Sequence, residues 1–321
     1  MADTGRKLTF ADIGINFVSP VYETLLGKGR RLSDLNKKEV AFLAVSIITL
    51  ASSLGLTIER MVKVDKHSSD YTFTIVLLVN IVFGFYYVIY GVIFERSSEL
   101  AIYLIGVVIL WVYLVLNYTI SVKGPLKLFR LIAACLLCPV TLGLGCFIVK
   151  NYHDSGNLLF RIVGAKPDIQ RMCKLLFLFI DLLKLDLQIG VSLTVLMLTT
   201  RSGHSNLRIV FVVVVGSLTL ASFLIGYFGV RRENYLLMII SATLWISLPA
   251  YCIYCIVQTA IDMKRLEGAD SHSIVTFLCC ALGICTRVLI LVCGIRVVFN
   301  FGKDLKNKVY GARQIQHDEP T

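Results

Sequence analysis

Residues 175–198 read LLFLFIDLLKLDLQIGVSLTVLML. The run is long enough to cross a bilayer as a helix, for which about 20 apolar residues suffice. Inside it stand Asp181, Lys184, Asp186 and Gln188, the last three near its middle. A charge at that depth costs roughly 2.5–3.5 kcal/mol on insertion scales. Charges kept against such a cost need partners on other helices, so the rest of the chain must supply a bundle around this run.

It has the composition to do so. The 321 residues are 56% hydrophobic and only 17% charged, against about 25% charged in ordinary globular domains. The apolar residues gather in eight runs of spanning length, 40–59, 72–94, 100–122, 131–149, 175–198, 209–230, 235–257 and 273–299. The expected fold is therefore an all-α polytopic membrane protein with about eight transmembrane helices. The first 39 residues are polar and basic, so the first run, and not a cleaved signal peptide, is expected to direct insertion.

The net charge of +11 is a topology signal and not a nucleic-acid footprint. With both termini in the cytosol, the inside segments 1–39, 95–99, 150–174, 231–234 and 300–321 carry 19 Lys and Arg, against 10 in the outside loops. That bias follows the positive-inside rule. Arg30, Arg31, Lys37 and Lys38 would then lie against the anionic lipid of the inner leaflet. The expected partners are the bilayer, these anionic headgroups and a small ion or polar solute, with no nucleic acid.

The chain is also self-similar. Residues 91–96, GVIFER, resemble 226–231, GYFGVR, and each leads into a short inside turn. The only two tryptophans, Trp111 and Trp245, fall near the middle of the next run in each case, away from the interface where membrane Trp usually sits. Two four-helix halves of equal orientation follow, 40–149 and 175–299, joined by a cytosolic linker 150–174 and flanked by cytosolic segments 1–39 and 300–321. Residues 8–27 and 157–163 have the mixed character of interfacial helices.

Helix geometry sorts the charged run. At 100° per residue Asp181 and Lys184 are neighbours, as are Lys184 and Gln188, while Asp186 points about 160° away from Lys184. Asp186 needs a partner elsewhere, and Arg287, midway along the eighth run, is the expected one. Asn80, Tyr86, Tyr87 and Tyr90 of the second run are further polar groups that face the same space. The five candidates for a substrate or ion site are thus Asp181, Lys184, Asp186, Gln188 and Arg287. A transporter or channel-like function with a charged mid-membrane site is the first expectation. A receptor or scaffold in which the charges are structural ion pairs is the alternative.

Other chemistries find little support. All five histidines lie outside the runs, so in-membrane haem ligation is not expected. Nine of ten cysteines fall within runs, and Cys135/Cys138 and Cys252/Cys255 read as small packing groups and not as redox or metal pairs. No metal or other cofactor is expected. No phosphate-binding or zinc-protease string occurs, and an intramembrane lipid enzyme lacks a nucleophile–base set. Pro139 and Pro249 read as packing kinks. Gly143, Gly145, Gly283 and Gly294 read as points of close helix approach.

Overall fold

The structure, a computed structural model, describes residues 22–24, 27–30, 32–64, 69–120, 125–155, 167–198, 206–265 and 271–303. Among these residues are eight long α-helices: α1 (Lys37–Lys63), α2 (Ser69–Ile93), α3 (Ser97–Ile120), α4 (Pro125–Ser155), α5 (Pro167–Leu198), α6 (Asn206–Arg232), α7 (Tyr235–Arg265) and α8 (Ser271–Val298). The helices continue past the apolar runs, because polar residues at helix ends keep their backbone bonds and find water or headgroups. α5 begins eight residues before its run, with Pro167 at the first helical position and Asp168 in the first turn, both favourable at the positive end of a helix. The expected linker 150–174 therefore shrinks at both ends, and Cys173 is a buried helical residue. α4 and α7 run through Pro139 and Pro249 without ending.

Among the described residues six stretches are long and apolar enough to cross a membrane: Lys37–Lys63, Tyr71–Ile93, Leu128–Asp154, Val212–Arg232, Tyr235–Ile261 and Ser273–Val298. They make the chain an integral membrane protein. The expected count of eight is not reached by length and apolarity alone. The charges of α5 set it apart from the others, and the apolar stretch of α3 is the shorter Ser97–Val112. Outward faces are largely apolar, with Ile48, Val82, Ile105, Leu136, Val213, Ile246 and Ile295 all exposed. Apolar surface this continuous is what lipid, and not water, solvates.

The helices pack as two rings. In the first, α1 touches α2, α2 touches α3, α3 touches α4, and α4 returns to α1; in the second, α5 to α8 close in the same order. Phe42, Leu50, Val88, Leu100 and Ile148 fill the first ring. Phe179, Leu183, Trp245 and Ile290 fill the second, continued by Ile189, Cys252, Cys255 and Cys280. The ten cysteines are free thiols. The rings meet where α2, and less extensively α3, pack on α5. Close approach is made at Gly145, where a Cβ would fall 2.4 Å from Leu104 and 3.0 Å from Phe42, and at Gly294, 3.1 Å from Phe179. Around Gly143 there is open space.

The turns between α2 and α3 and between α6 and α7 share one backbone form. Glu95 and Glu233 both adopt positive φ, 47° and 52°, a left-handed conformation that non-glycine residues seldom take. Arg96 N–H donates to the Gly91 carbonyl at 2.8 Å, and Asn234 N–H to the Gly229 carbonyl at 2.9 Å, the long bond of a Schellman cap. The backbone thus matches Gly91 with Gly229, three residues along from the Gly226 suggested by sequence. The tryptophans differ as well: Trp245 is fully buried, whereas Trp111 is half-buried and its indole N–H points to Cys135 Sγ at 3.5 Å.

Part of the expected interfacial helix at 8–27 is instead extended. Tyr22–Thr24 and Gly27–Gly29 pair as a short antiparallel ribbon, since a helix is disfavoured by two glycines in three residues. Residues 8–21 and 157–163 lie outside the described residues. Arg30 follows the ribbon into the end of the first ring where α1 begins and α2 ends. Its guanidinium meets Glu39 at 3.1 Å, Glu95 at 2.9 Å and the Tyr152 hydroxyl at 3.1 Å, and it also donates to the Val92 carbonyl at 3.3 Å. Burial works to lower the pKa of Arg30, yet Glu95, Tyr152 and Glu39 raise it on balance. Arg30 is thus engaged by the protein, leaving Lys37 and Lys38 exposed; Arg31 lies outside the described residues.

Candidate functional site

α5 belongs to the second ring and is the helix on which the first ring packs. Its polar residues leave it in two directions, as the 100° spacing requires. Asp186 turns into the second ring, where Arg287 Nε of α8 donates to its Oδ1 at 2.8 Å and both side chains are buried. Arg287 lies eleven residues before the end of α8, about 16 Å from it along the axis, close to the middle of a hydrocarbon layer of about 30 Å. The pair is closed, one cation to one carboxylate. Arg287 Nη1 is buried with no hydrogen-bond partner among the described residues.

Asp181, Lys184 and Gln188 turn the other way, into the seam with α2 and α3. Gln188 donates from Nε2 to Asn80 Oδ1 of α2 at 2.6 Å. Asn80 Nδ2 reaches Ser192 Oγ at 3.4 Å, and Ser192 returns a bond to the Gln188 carbonyl at 2.9 Å. One turn toward the start of α5, the Lys184 ammonium donates to Glu99 Oε1 and stands 3.6 Å from Asp181 Oδ1. It also lies 4.3 Å from the ring centre of Tyr90 and 5.1 Å from that of Tyr86, within cation–π range. Ser98 Oγ donates to Asp181 Oδ2. The structure thus brings Asp181, Lys184 and Gln188 together on one seam and holds Asp186 and Arg287 apart from them in the second ring.

Two residues of this seam, Ser98 and Glu99, carried no signal in sequence. They fall in 95–99, where a short polar stretch between apolar runs reads as a solvated loop. α3 in fact starts at Ser97, so Glu99 stands in its first turn and is wholly buried. The Arg96 guanidinium lies 3.2 Å above the ring centre of Phe177. That contact sets the depth of the turn between α2 and α3: Lys184 stands seven residues further along α5, about 10 Å deeper. Of the tyrosines, Tyr86 and Tyr90 face the seam. Tyr87 is buried in the first core, with no hydrogen-bond partner for its hydroxyl among the described residues.

The charge balance of the two sites differs. Asp186 with Arg287 is neutral. Glu99 and Asp181 with Lys184 amount to two carboxylates and one ammonium, an excess of negative charge where desolvation is costly. The polar track from Asp181 to Ser192 covers twelve residues of α5, about 16 Å of axis. Such a track can hold a small cation, a proton or the polar end of a solute; among the described residues no His, Cys, Asp and Glu side chains are grouped to hold a metal.

No curated protein and no solved structure matches this chain. A family described as Domain of unknown function (DUF7789) matches it over residues 26–150 and 163–296. The first stretch contains α1 to α3 and nearly all of α4, and the second reaches from just before α5 almost to the end of α8. Together they cover well over half of the 321 residues, and the chain belongs to the DUF7789 family.

Proposed function

We propose that this protein moves a small ion or polar solute across the membrane along the seam between its two rings. On this reading all eight helices cross the bilayer, both termini are cytoplasmic, and the rings are pseudo-equivalent halves related by an axis along the membrane normal. The carrying observation is the direction of the α5 polar face. Asp181, Lys184 and Gln188 look neither into a ring core nor at lipid, but at the surface on which the rings join. A binding site between two bundles is where rocking of one against the other exposes it alternately to the two sides. Lys37 and Lys38 are placed to meet anionic lipid at the cytosolic face.

The pair Asp186–Arg287 has a different role. Its closed geometry favours the alternative raised from sequence, a structural tie, for this pair alone: it fastens α5 to α8 so that the second ring moves as a unit.

Reconstituted liposomes test the transport reading with imposed gradients of H+, Na+, K+ and Cl−. The wild type is expected to dissipate at least one of them. Asp181→Asn and Gln188→Leu are expected to cut the rate per inserted molecule roughly tenfold or more, a loss of about 1.4 kcal/mol in barrier terms, while the protein still inserts. No flux above protein-free liposomes for any of the four ions, or unchanged flux in both variants, retires the proposal.

A further inference from the structure

We propose that the ion held in the seam is a proton, shared between the carboxyl groups of Glu99 and Asp181. As the identity of the transported ion this rests on the transport reading; as a bound proton it does not.

The Glu99 side chain is fully buried in the first turn of α3. One of its oxygens, Oε1, receives the Lys184 ammonium. The other, Oε2, is buried and has no hydrogen-bond partner among the described residues. Yet the Lys184 ammonium that bonds Glu99 Oε1 also stands 3.6 Å from Asp181 Oδ1, so the two carboxyl groups flank a single cation. An ionised carboxylate only accepts, so two ionised carboxylates at that spacing have no hydrogen to share and repel. One added proton mends this. It bonds to an oxygen of one carboxyl, and that O–H donates to the other.

The surroundings support a count of one. From α5 the pair meets Lys184, which supplies a single positive charge. From α2 the phenols of Tyr86 and Tyr90 lie against Lys184, Tyr87 lies behind them in the first core, and from α6 Tyr227 stands near Tyr86; none of these adds a second cation. Arg96, at the end of the α2–α3 turn, is the other cation nearby, but its guanidinium lies over Phe177 and makes no ion pair with either carboxyl. Ser98 donates to Asp181. With one proton, the two carboxyls and the ammonium sum to zero charge, the state that burial favours. The proton is also the ion this space fits, because Lys184 already occupies the position between the acids that a metal cation would take.

Infrared spectra of the full chain in lipid nanodiscs, recorded in H2O and D2O at neutral pH, test this directly. The wild type is expected to show the C=O stretch of a protonated, deuterium-sensitive carboxyl. Glu99→Gln and Asp181→Asn are each expected to remove it, because the remaining carboxylate then pairs one to one with Lys184. Glu59→Gln, at an exposed position on α1, leaves it in place. Absence of such a band in the wild type overturns the proposal without any variant, as does a band that survives both seam substitutions. A band without flux keeps the proton site and retires transport; flux without a band does the reverse.

Discussion

Arg287→Met is expected to destabilise the protein by about 3–5 kcal/mol, the usual cost of leaving a buried charge without its partner. Asp186 receives Arg287 Nε at 2.8 Å, and both side chains are about 4% exposed. Met keeps much of the packing volume of the arginine stem but offers no hydrogen to the carboxylate. The partner experiment separates charge from packing. Replacing both members, Asp186→Leu with Arg287→Met, removes the unpaired ion, and buried pairs exchanged for apolar residues are often neutral or better. The double variant is expected to recover to within about 1 kcal/mol of the wild type in denaturant titrations in mixed micelles. If the single variant unfolds no earlier than the wild type, or the double is as unstable as the single, the pair is not the tie between α5 and α8.

Lys184→Met is expected to be as severe, with a different signature. It leaves Glu99 and Asp181 with no cation in their buried pocket, so the folded protein must take up protons to neutralise both. The unfolded chain holds none on carboxyls above about pH 5, since their ordinary values are near 4. The folded state then binds more protons than the unfolded one, and stability falls as pH rises, by about 1.4 kcal/mol per pH unit for each extra proton held. The variant is expected to fold best at mildly acidic pH and to fail first on the alkaline side, with a steeper dependence than the wild type. Melting temperatures in detergent across pH 5–8 measure it. A profile no steeper than that of the wild type contradicts the buried triad.

Much of this architecture is written in the periodicity of α5. The 100° rule separates Asp186 from Asp181, Lys184 and Gln188, and Arg287 stands out as the only arginine midway along an apolar run. Those inferences need only local geometry and a count of charges. Glu99 needed more: its neighbours Glu95, Arg96, Ser97 and Ser98 look like a loop, and nothing local says that the turn docks at the level of Phe177, about 10 Å short of Lys184 along α5. The same holds for Arg30, which reads as one more basic residue near a membrane surface. Its burial against Glu39, Glu95 and Tyr152 depends on how α1, α2 and α4 converge. The helices outrun their apolar runs wherever polar turns extend a span, as at Pro167 and Arg265, because hydropathy marks where lipid begins and not where the helix stops.

The central claim is that one face of α5 lines a water-reachable seam inside the bundle. Single cysteine substitutions at 178, 181, 184, 188 and 192, made in a background freed of native thiols and probed in intact membranes with a small water-soluble thiol reagent, test it most directly. Reaction is expected at 181, 184, 188 and 192 and not at 178, where the Leu178 side chain faces outward. If none of the four seam positions reacts, or if 178 reacts as fast as they do, α5 is either sealed among its neighbours or bathed in water, and the seam is not a path.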